Sequence, residues 1–116
     1  MSAERDELPL LKGTLDLLVL KALSWGPMHG YGIASWLERR SGGDLGVEDS
    51  ALYQALQRME SRGLVEAEWG VTDHNRRARF YRLTPAGTRH LRRQGEVWSR
   101  YTRSVSAILA LAKRGP

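Results

Sequence analysis

The stretch Asp49–Arg62, DSALYQALQRMESR, sets hydroxyl, phenol, amide and guanidinium groups along one side of a single helix. Leu52, Leu56 and Met59, with Leu64 just beyond, recur at spacings of three and four and supply one stripe for a core. The other face holds Ser50, Tyr53, Gln54, Gln57, Arg58 and Ser61. Amides of this kind pair with base edges, while hydroxyls and guanidiniums donate to phosphate oxygens. Asp49 or Ser50 can cap the amino end, past which only Glu60 adds negative charge, and Gly63 supplies the stop. A polar outer face also suits an ordinary amphipathic surface helix, so the neighbouring residues must decide.

Seven arginines, Arg76, Arg77, Arg79, Arg82, Arg89, Arg92 and Arg93, fall between Gly70 and Arg93 against Asp73 alone. Leu64–Trp69 (LVEAEW) and Ala78–Leu83 (ARFYRL) alternate apolar and polar residues on either side of GVTDHNRR, which predicts a hairpin with a basic tip. Arginines on a hairpin can serve only to protect an edge strand. Clustered directly after a polar helix, they favour contact with phosphate.

The remaining elements must hold these groups in place. A chain of 116 residues with 41% hydrophobic content makes one domain with a modest core, and its net charge of +5 and pI near 10.1 favour anionic partners. It contains no cysteine, which excludes disulfides and thiolate metal sites. The start, MSAERDEL, is unlike a secretory leader, and the apolar run Leu15–Leu23 is too short for a bilayer, so a cytoplasmic protein without membrane contact is expected. Residues 1–8 are expected to form a flexible arm. The first helix is expected over Leu10–Ser24, with Leu11, Leu15, Leu18, Val19 and Leu23 as its stripe and further leucines that call for a second partner. Trp25-Gly26-Pro27 ends it. A second helix over Tyr31–Arg40 buries Ile33, Trp36 or Leu37, and Leu45–Val47 can add a short strand. Short helices, tight glycine joints and a basic hairpin read together as a winged helix-turn-helix. The expected fold is therefore mainly α with a small β-hairpin, comprising a DNA-binding domain over 9–84 and a dimerisation helix over 85–116.

Thr84-Pro85 opens that last helix, and its pattern continues to about Lys113. Leu91, Trp98, Val105 and Ala112 stand seven apart, with Gln94, Tyr101 and Ile108 at the alternate positions of a coiled-coil-like seam. Val97, Leu109 and Leu111 widen it: the last helix can pack back onto the chain's own first helix, and, compatibly with that, both helices are expected to pair two chains, with Leu91, Trp98, Tyr101, Val105 and Ile108 at the contact. Gly95 hints at a close backbone approach. Trp98 either anchors that interface or, facing its copy across a two-fold axis with Tyr101 nearby, forms a slot for a small planar aromatic effector.

In this order the sequence resembles the PadR family of bacterial transcriptional regulators. The resemblance rests on Gly13-Thr14-Leu15-Asp16, His29-Gly30-Tyr31-Gly32-Ile33, Ser50-Ala51-Leu52-Tyr53, Leu56-Gln57-Arg58, Gly63-Leu64, Trp69-Gly70, Arg76 through Thr84, and Gly87. It implies a homodimeric winged helix, usually a repressor, that binds a palindromic operator in double-stranded DNA and belongs to the branch with a short C-terminal domain. By position, Ser50 to Tyr53 would open the recognition helix, and Arg76, Arg77 and Arg79 would belong to the wing. Gln54 stands where many members have proline, and Phe80 where a second tyrosine is common, so a relative's operator does not carry over.

Three other classes were weighed. Enzymatic activity is not expected, because His29, His74 and His90 fall in different elements without a nucleophile or ligand spacing beside them, and no metal or cofactor is called for. RNA binding and a purely structural dimerisation module remain as alternatives, although the pattern exposes no aromatic stacking platform beyond Tyr53 and Phe80.

Overall fold

A computed structural model of the chain describes Leu8, Leu10 and residues 13–113. Four helices and three strands run in the order α1 (Thr14–Leu23), β1 (Met28–His29), α2 (Gly30–Arg40), α3 (Asp49–Ser61), β2 (Val65–Val71), β3 (Arg77–Leu83) and α4 (Pro85–Leu109). The core lies between α1, α2 and α3 and is closed by the sheet. Leu20, Ile33, Leu52, Leu56, Met59, Val19 and Val65 are fully buried, each large apolar side chain contributing about 1.5–3 kcal/mol. The sheet is antiparallel in the order β1-β3-β2. The hairpin expected from the sequence thus gains a third strand, in which Met28 pairs with Tyr81 and His29 with Phe80. The short strand expected at Leu45–Val47 is not formed. Two residues between Pro27 and Gly30 are too few to show any alternation, which is why pattern reading misses β1.

Local chemistry accounts for the helix ends. Gly13 adopts φ 89°, a left-handed conformation that glycine tolerates, so α1 starts at Thr14 and not at Leu10. Leu11 of the expected stripe and residues 1–7 of the expected arm lie outside the described residues. Leu8, also assigned to that arm, is held by its amide, which donates to the Asp44 carbonyl at 2.8 Å. His29 caps α2 by accepting from the Gly32 amide on Nδ1 at 2.8 Å. At α3 the cap position falls to Glu48, whose side chain makes no cap hydrogen bond. Asp49 instead occupies the first turn, where its charge faces the positive end of the helix dipole.

The third helix, the hairpin and α4 meet at one junction. The Thr84 hydroxyl donates to the Gly63 carbonyl at 2.6 Å and accepts from the Gly87 amide at 3.0 Å, while the Thr84 amide donates to the Leu64 carbonyl at 3.1 Å. Pro85 follows in the first turn of α4. Gly87 is buried, and a Cβ there would collide with the Leu64 carbonyl oxygen. From this point α4 runs for 25 residues and ends at Leu109, short of the expected Lys113. Leu91 packs on the chain's own core, and Trp98 is half-buried. Val97, Tyr101, Val105, Ile108 and Leu109 are exposed, and the described chain measures 65 × 40 × 21 Å. Beyond its own helix, no atom of the described residues comes within 4 Å of a would-be Cβ on Gly95, so the close approach expected there has no partner among them.

Because the obstacle at Gly87 is backbone, it cannot swing aside as a side chain would. Gly87→Ala should cost about 1–3 kcal/mol or more, lowering the melting midpoint by several degrees. A thermal melt superimposable on the parent's would show that α4 crosses Leu64 more loosely than the structure has it.

Candidate nucleic-acid interface

The face of α3 that turns away from the core presents Ser50, Tyr53, Gln54 and Gln57, all exposed. Its opposite face buries Leu52, Ala55, Leu56 and Met59, so the side chains that can read an external surface stand on an anchored helix. Tyr53 is fixed further. Its ring lies across the first turn of α2, where a Cβ on buried Gly30 would come within 2.6 Å of the phenol oxygen and 2.8 Å of a ring carbon. The His29-Gly30-Tyr31-Gly32 and Ser50-Ala51-Leu52-Tyr53 stretches are therefore two halves of one contact. Tyr53 remains 48% exposed on its other side.

Two of the expected phosphate ligands are tied back within the chain. Arg58 Nη2 donates to Asp16 Oδ1 on α1 at 2.7 Å, and Arg79 Nη2 donates to Glu60 Oε2 on α3 at 3.0 Å. Exposed pairs of this kind are worth about 0–1 kcal/mol, so they position the side chains without locking them. The Arg79 guanidinium also lies 5.8 Å from the Tyr81 ring centre. Burial pushes the Tyr81 phenol above its ordinary pKa even though Arg79 pulls the other way, so it stays protonated. Arg82 faces the opposite side of the sheet, where it donates to Glu66 at 3.0 Å and approaches Glu68 at 3.9 Å.

Arg76 and Arg77 make no ion pair among the described residues. They leave a turn fastened by Thr72, whose amide donates to the Arg76 carbonyl at 2.8 Å and whose hydroxyl accepts from the His74 and Arg76 amides at 3.2 Å. Arg77 stacks over Trp69 with its guanidinium carbon 4.8 Å from the ring centre, a cation–π contact that holds the charge out beyond the sheet.

Strand register sets Trp69 opposite Arg79 and Val71 opposite Arg77, on the face that turns toward α3. An open groove of about 970 Å³ results, bounded by the amino end of α2, by Tyr53 and by the inner face of the hairpin. Tyr53, Arg76, Arg77 and Arg79 line it together. Ser50, Gln54 and Gln57 stand on the adjoining exposed face of α3, and Arg58 turns toward α1 on its far flank. The groove also contains residues that sequence reasoning missed: Tyr31, 80% exposed, Trp69, 60% exposed, and His74. An exposed aromatic surface does exist, built from Tyr31, Tyr53 and Trp69. Phe80 belongs to the other side of the sheet, half-buried 5.2 Å from His29, where it fills the space a Cβ on Gly70 would need. Alternation along Val65, Ala67, Trp69 and Val71 could have placed Trp69. Nothing in the local pattern could have placed Tyr31, since the orientation of the first helical turn is set by the cap.

At the opposite end, Trp98 and Tyr101 lie 6.1 Å apart with their rings inclined by 35°. Trp98 sits beside Leu17 of α1, between open clefts of about 770 and 440 Å³. No three of the described histidines and acidic residues gather into a metal site, and no described helix is long and apolar enough to cross a membrane.

If the aromatic wall of the groove depends on the Gly30–Tyr53 contact, Gly30→Ala should displace the phenol. We expect a loss of about 1–3 kcal/mol in stability and weaker binding of DNA. Unchanged binding by a variant that shows the predicted destabilisation would remove Tyr53 from the interface.

Comparison with known proteins gives this geometry a context. Residues 19–93 match the model of the transcriptional regulator PadR-like family. A PadR family transcriptional regulator from Eggerthella lenta is 31% identical, with a TM-score of 0.73 over 87% of this chain and 86% of that one. A PadR-like transcriptional regulator from Bacillus cereus shares the fold at 22% identity, with a TM-score of 0.76 over 88% of this chain and 97% of that one. Bacillus subtilis PadR, solved in complex with operator DNA, shares it at 20% identity, with a TM-score of 0.61 over 89% of this chain and 50% of that one.

Proposed function

Because the chain belongs to the PadR-like family of transcriptional regulators, we propose that it is a repressor that binds a palindromic operator as a homodimer. The observation that carries this reading is the pairing of an anchored helix bearing Ser50, Gln54 and Gln57 with a groove lined by Tyr53, Arg76 and Arg77. In this reading α3 enters the major groove, and the two glutamine amides face base edges, where amides discriminate among base pairs. The residues 70–77 turn meets the adjacent backbone through Arg76 and Arg77. Arg79 joins them when phosphate displaces Glu60, and Arg58 contributes after leaving Asp16. Bacillus subtilis PadR, with its operator DNA, is the solved relative that supports the assignment. Residues 9–84 then act as the DNA-binding domain and 85–116 as the dimerisation segment.

Positioning and reading separate experimentally. Arg76→Ala and Arg77→Ala should weaken binding to every DNA sequence and flatten its salt dependence by about 0.9 per lost contact. Gln54→Ala and Gln57→Ala should instead relax preference at particular base pairs, each worth about 1–3 kcal/mol. The operator itself comes from selection out of a random duplex pool. Equal losses on operator and random DNA for the glutamine variants would show that they do not read bases.

Dimerisation is assigned to the exposed strip of α4, with Trp98, Tyr101, Val105 and Ile108 toward the partner and Leu91 at its margin. A planar aromatic effector then enters between the two Trp98 side chains and changes the angle between subunits, releasing DNA. Trp98 is only half-buried and open clefts flank it, which leaves room beside the indole for such a ligand. Light scattering at micromolar concentration should report a dimer, and planar aromatic compounds should quench tryptophan emission in the parent but not in Trp98→Ala. Quenching that survives in a folded, dimeric Trp98→Ala places the effector elsewhere.

A further inference from the structure

We infer that the outer ridge of α4 is a second DNA-binding surface, one that grips the phosphate backbone without regard to sequence. The inference rests on the reading of the chain as a DNA-binding regulator but concerns residues outside the α3 groove. Arg89, Arg93, Glu96, Arg100 and Arg103 follow one another at spacings of four, three, four and three, which puts them on one helical face about 21 Å long. All four arginines are exposed. Leu91 and Trp98 turn the opposite face of α4 toward α1 and the core; Glu96 and Arg103 border the cleft beside Leu17 and Trp98, whereas Arg89, Arg93 and Arg100 stand clear of it.

Charge bookkeeping points to the same surface. Residues 9–83 contain ten basic and nine acidic side chains, so the reading head and the helices behind it carry almost no positive excess. Residues 84–116 contain seven basic side chains against Glu96 alone, more than the whole net charge of +5. Within the reading head Arg58, Arg79 and Arg82 are each matched by a carboxylate. On the ridge no arginine forms an ion pair among the described residues, and the only acid on its face is Glu96.

The arrangement also runs against what a merely solvated helix favours. Arg89 and Arg93 are like charges one turn apart, and with Arg92 they crowd the amino-terminal third of a helix that has no acid in its first turn to offset them. An external anion offsets that repulsion. Burial, together with Arg62 and Arg93, holds the neighbouring His90 below its ordinary pKa. The ridge face offers no apolar side chain between Arg89 and Arg103 to serve as an anchor in a protein pocket or a lipid layer. Guanidiniums without such anchors match a phosphate backbone.

The experiment uses the full chain and three variants: Arg89→Gln/Arg93→Gln/Arg100→Gln, the same three positions changed to Lys, and the single Arg100→Glu. Each is checked for fold by circular dichroism and for mass by light scattering, the single variant giving the same readout should the triple one not fold. Binding to random duplex DNA is measured across a salt series, and binding to the selected operator is measured with and without about ten extra base pairs on each side. The Gln variant should lose about tenfold or more on random DNA, and its salt slope should flatten by about 0.9 for each contact removed. The Lys variant should keep most of the slope, because the charge remains. Loss of the gain from added flanks places the ridge on the same duplex, whereas loss of the parent's ability to bridge two labelled duplexes places it on a second one; either supports the inference. A folded Gln variant with the parent's salt slope overturns it, as does one that loses binding to phosphatidylserine vesicles but not to DNA. Arg76→Ala in the same assay separates the two readings. If it weakens binding and the ridge variants do not, only the ridge fails, and if the parent binds no DNA at all, the regulator reading fails first.

Discussion

A single carbonyl, that of Leu64, lies where the three working parts of the chain meet. It accepts the Thr84 amide, and it sits where a side chain on Gly87 would otherwise be. Thr84 uses its one hydroxyl twice, donating to Gly63 and accepting from Gly87, so the end of α3, the base of the hairpin and the start of α4 share one set of hydrogen bonds. Any element that moved alone would strand a donor or an acceptor there, which costs more than the bond itself is worth. The outer face of α3 and the exposed strip of α4 thus keep a fixed mutual angle, the constancy that the proposed match of two copies to a two-fold operator requires.

Around this junction the electrostatics fall into two kinds. Near α3 and the sheet, three guanidiniums are tied to carboxylates, Arg58 to Asp16, Arg79 to Glu60 and Arg82 to Glu66, while Arg76 and Arg77 at the turn are not. Each pair is exposed and individually weak. Together they lower the free positive charge around α3, which in the proposed interface would leave discrimination to contact with bases more than to bulk attraction. Along α4 the arginines have no such partners among the described residues. A chain with both kinds of surface can separate where it binds from how strongly it is drawn to nucleic acid in general.

Much of this was legible in the sequence, for reasons that differ by element. The three-and-four spacing of Leu52, Leu56 and Met59 placed α3 almost to the residue, because one buried face against one wet face is the strongest periodic signal a helix carries. The basic hairpin was legible from alternation and from the glycine and asparagine in its turn, and Asn75 does adopt a positive φ of 61°. The two-residue β1 was not legible, since it exists only through pairing with β3, which is distant in sequence. Nor was the start of α1, decided by one backbone torsion at Gly13 that no hydrophobic pattern encodes. At the candidate site, charge and spacing singled out the basic side chains but could not give their state. That Arg58 and Arg79 are held by acids on other elements is a tertiary fact, as is the exposure of Tyr31, which the sequence displays only as one more aromatic residue near a helix start.

The length of α4 has a mechanical meaning. Twenty-five residues of unbroken helix make a rod of about 37 Å, rigidly joined to the reading head at one end and free of the domain at the other. Such a rod is a lever. A tilt of about 10° at its distal half, where the exposed apolar side chains lie, sweeps the far end through roughly 6 Å, close to two base-pair steps of about 3.4 Å each. In the dimer proposed above, small repacking between two such rods would therefore be geared up into a register error on DNA, with no hinge required within the α3 domain.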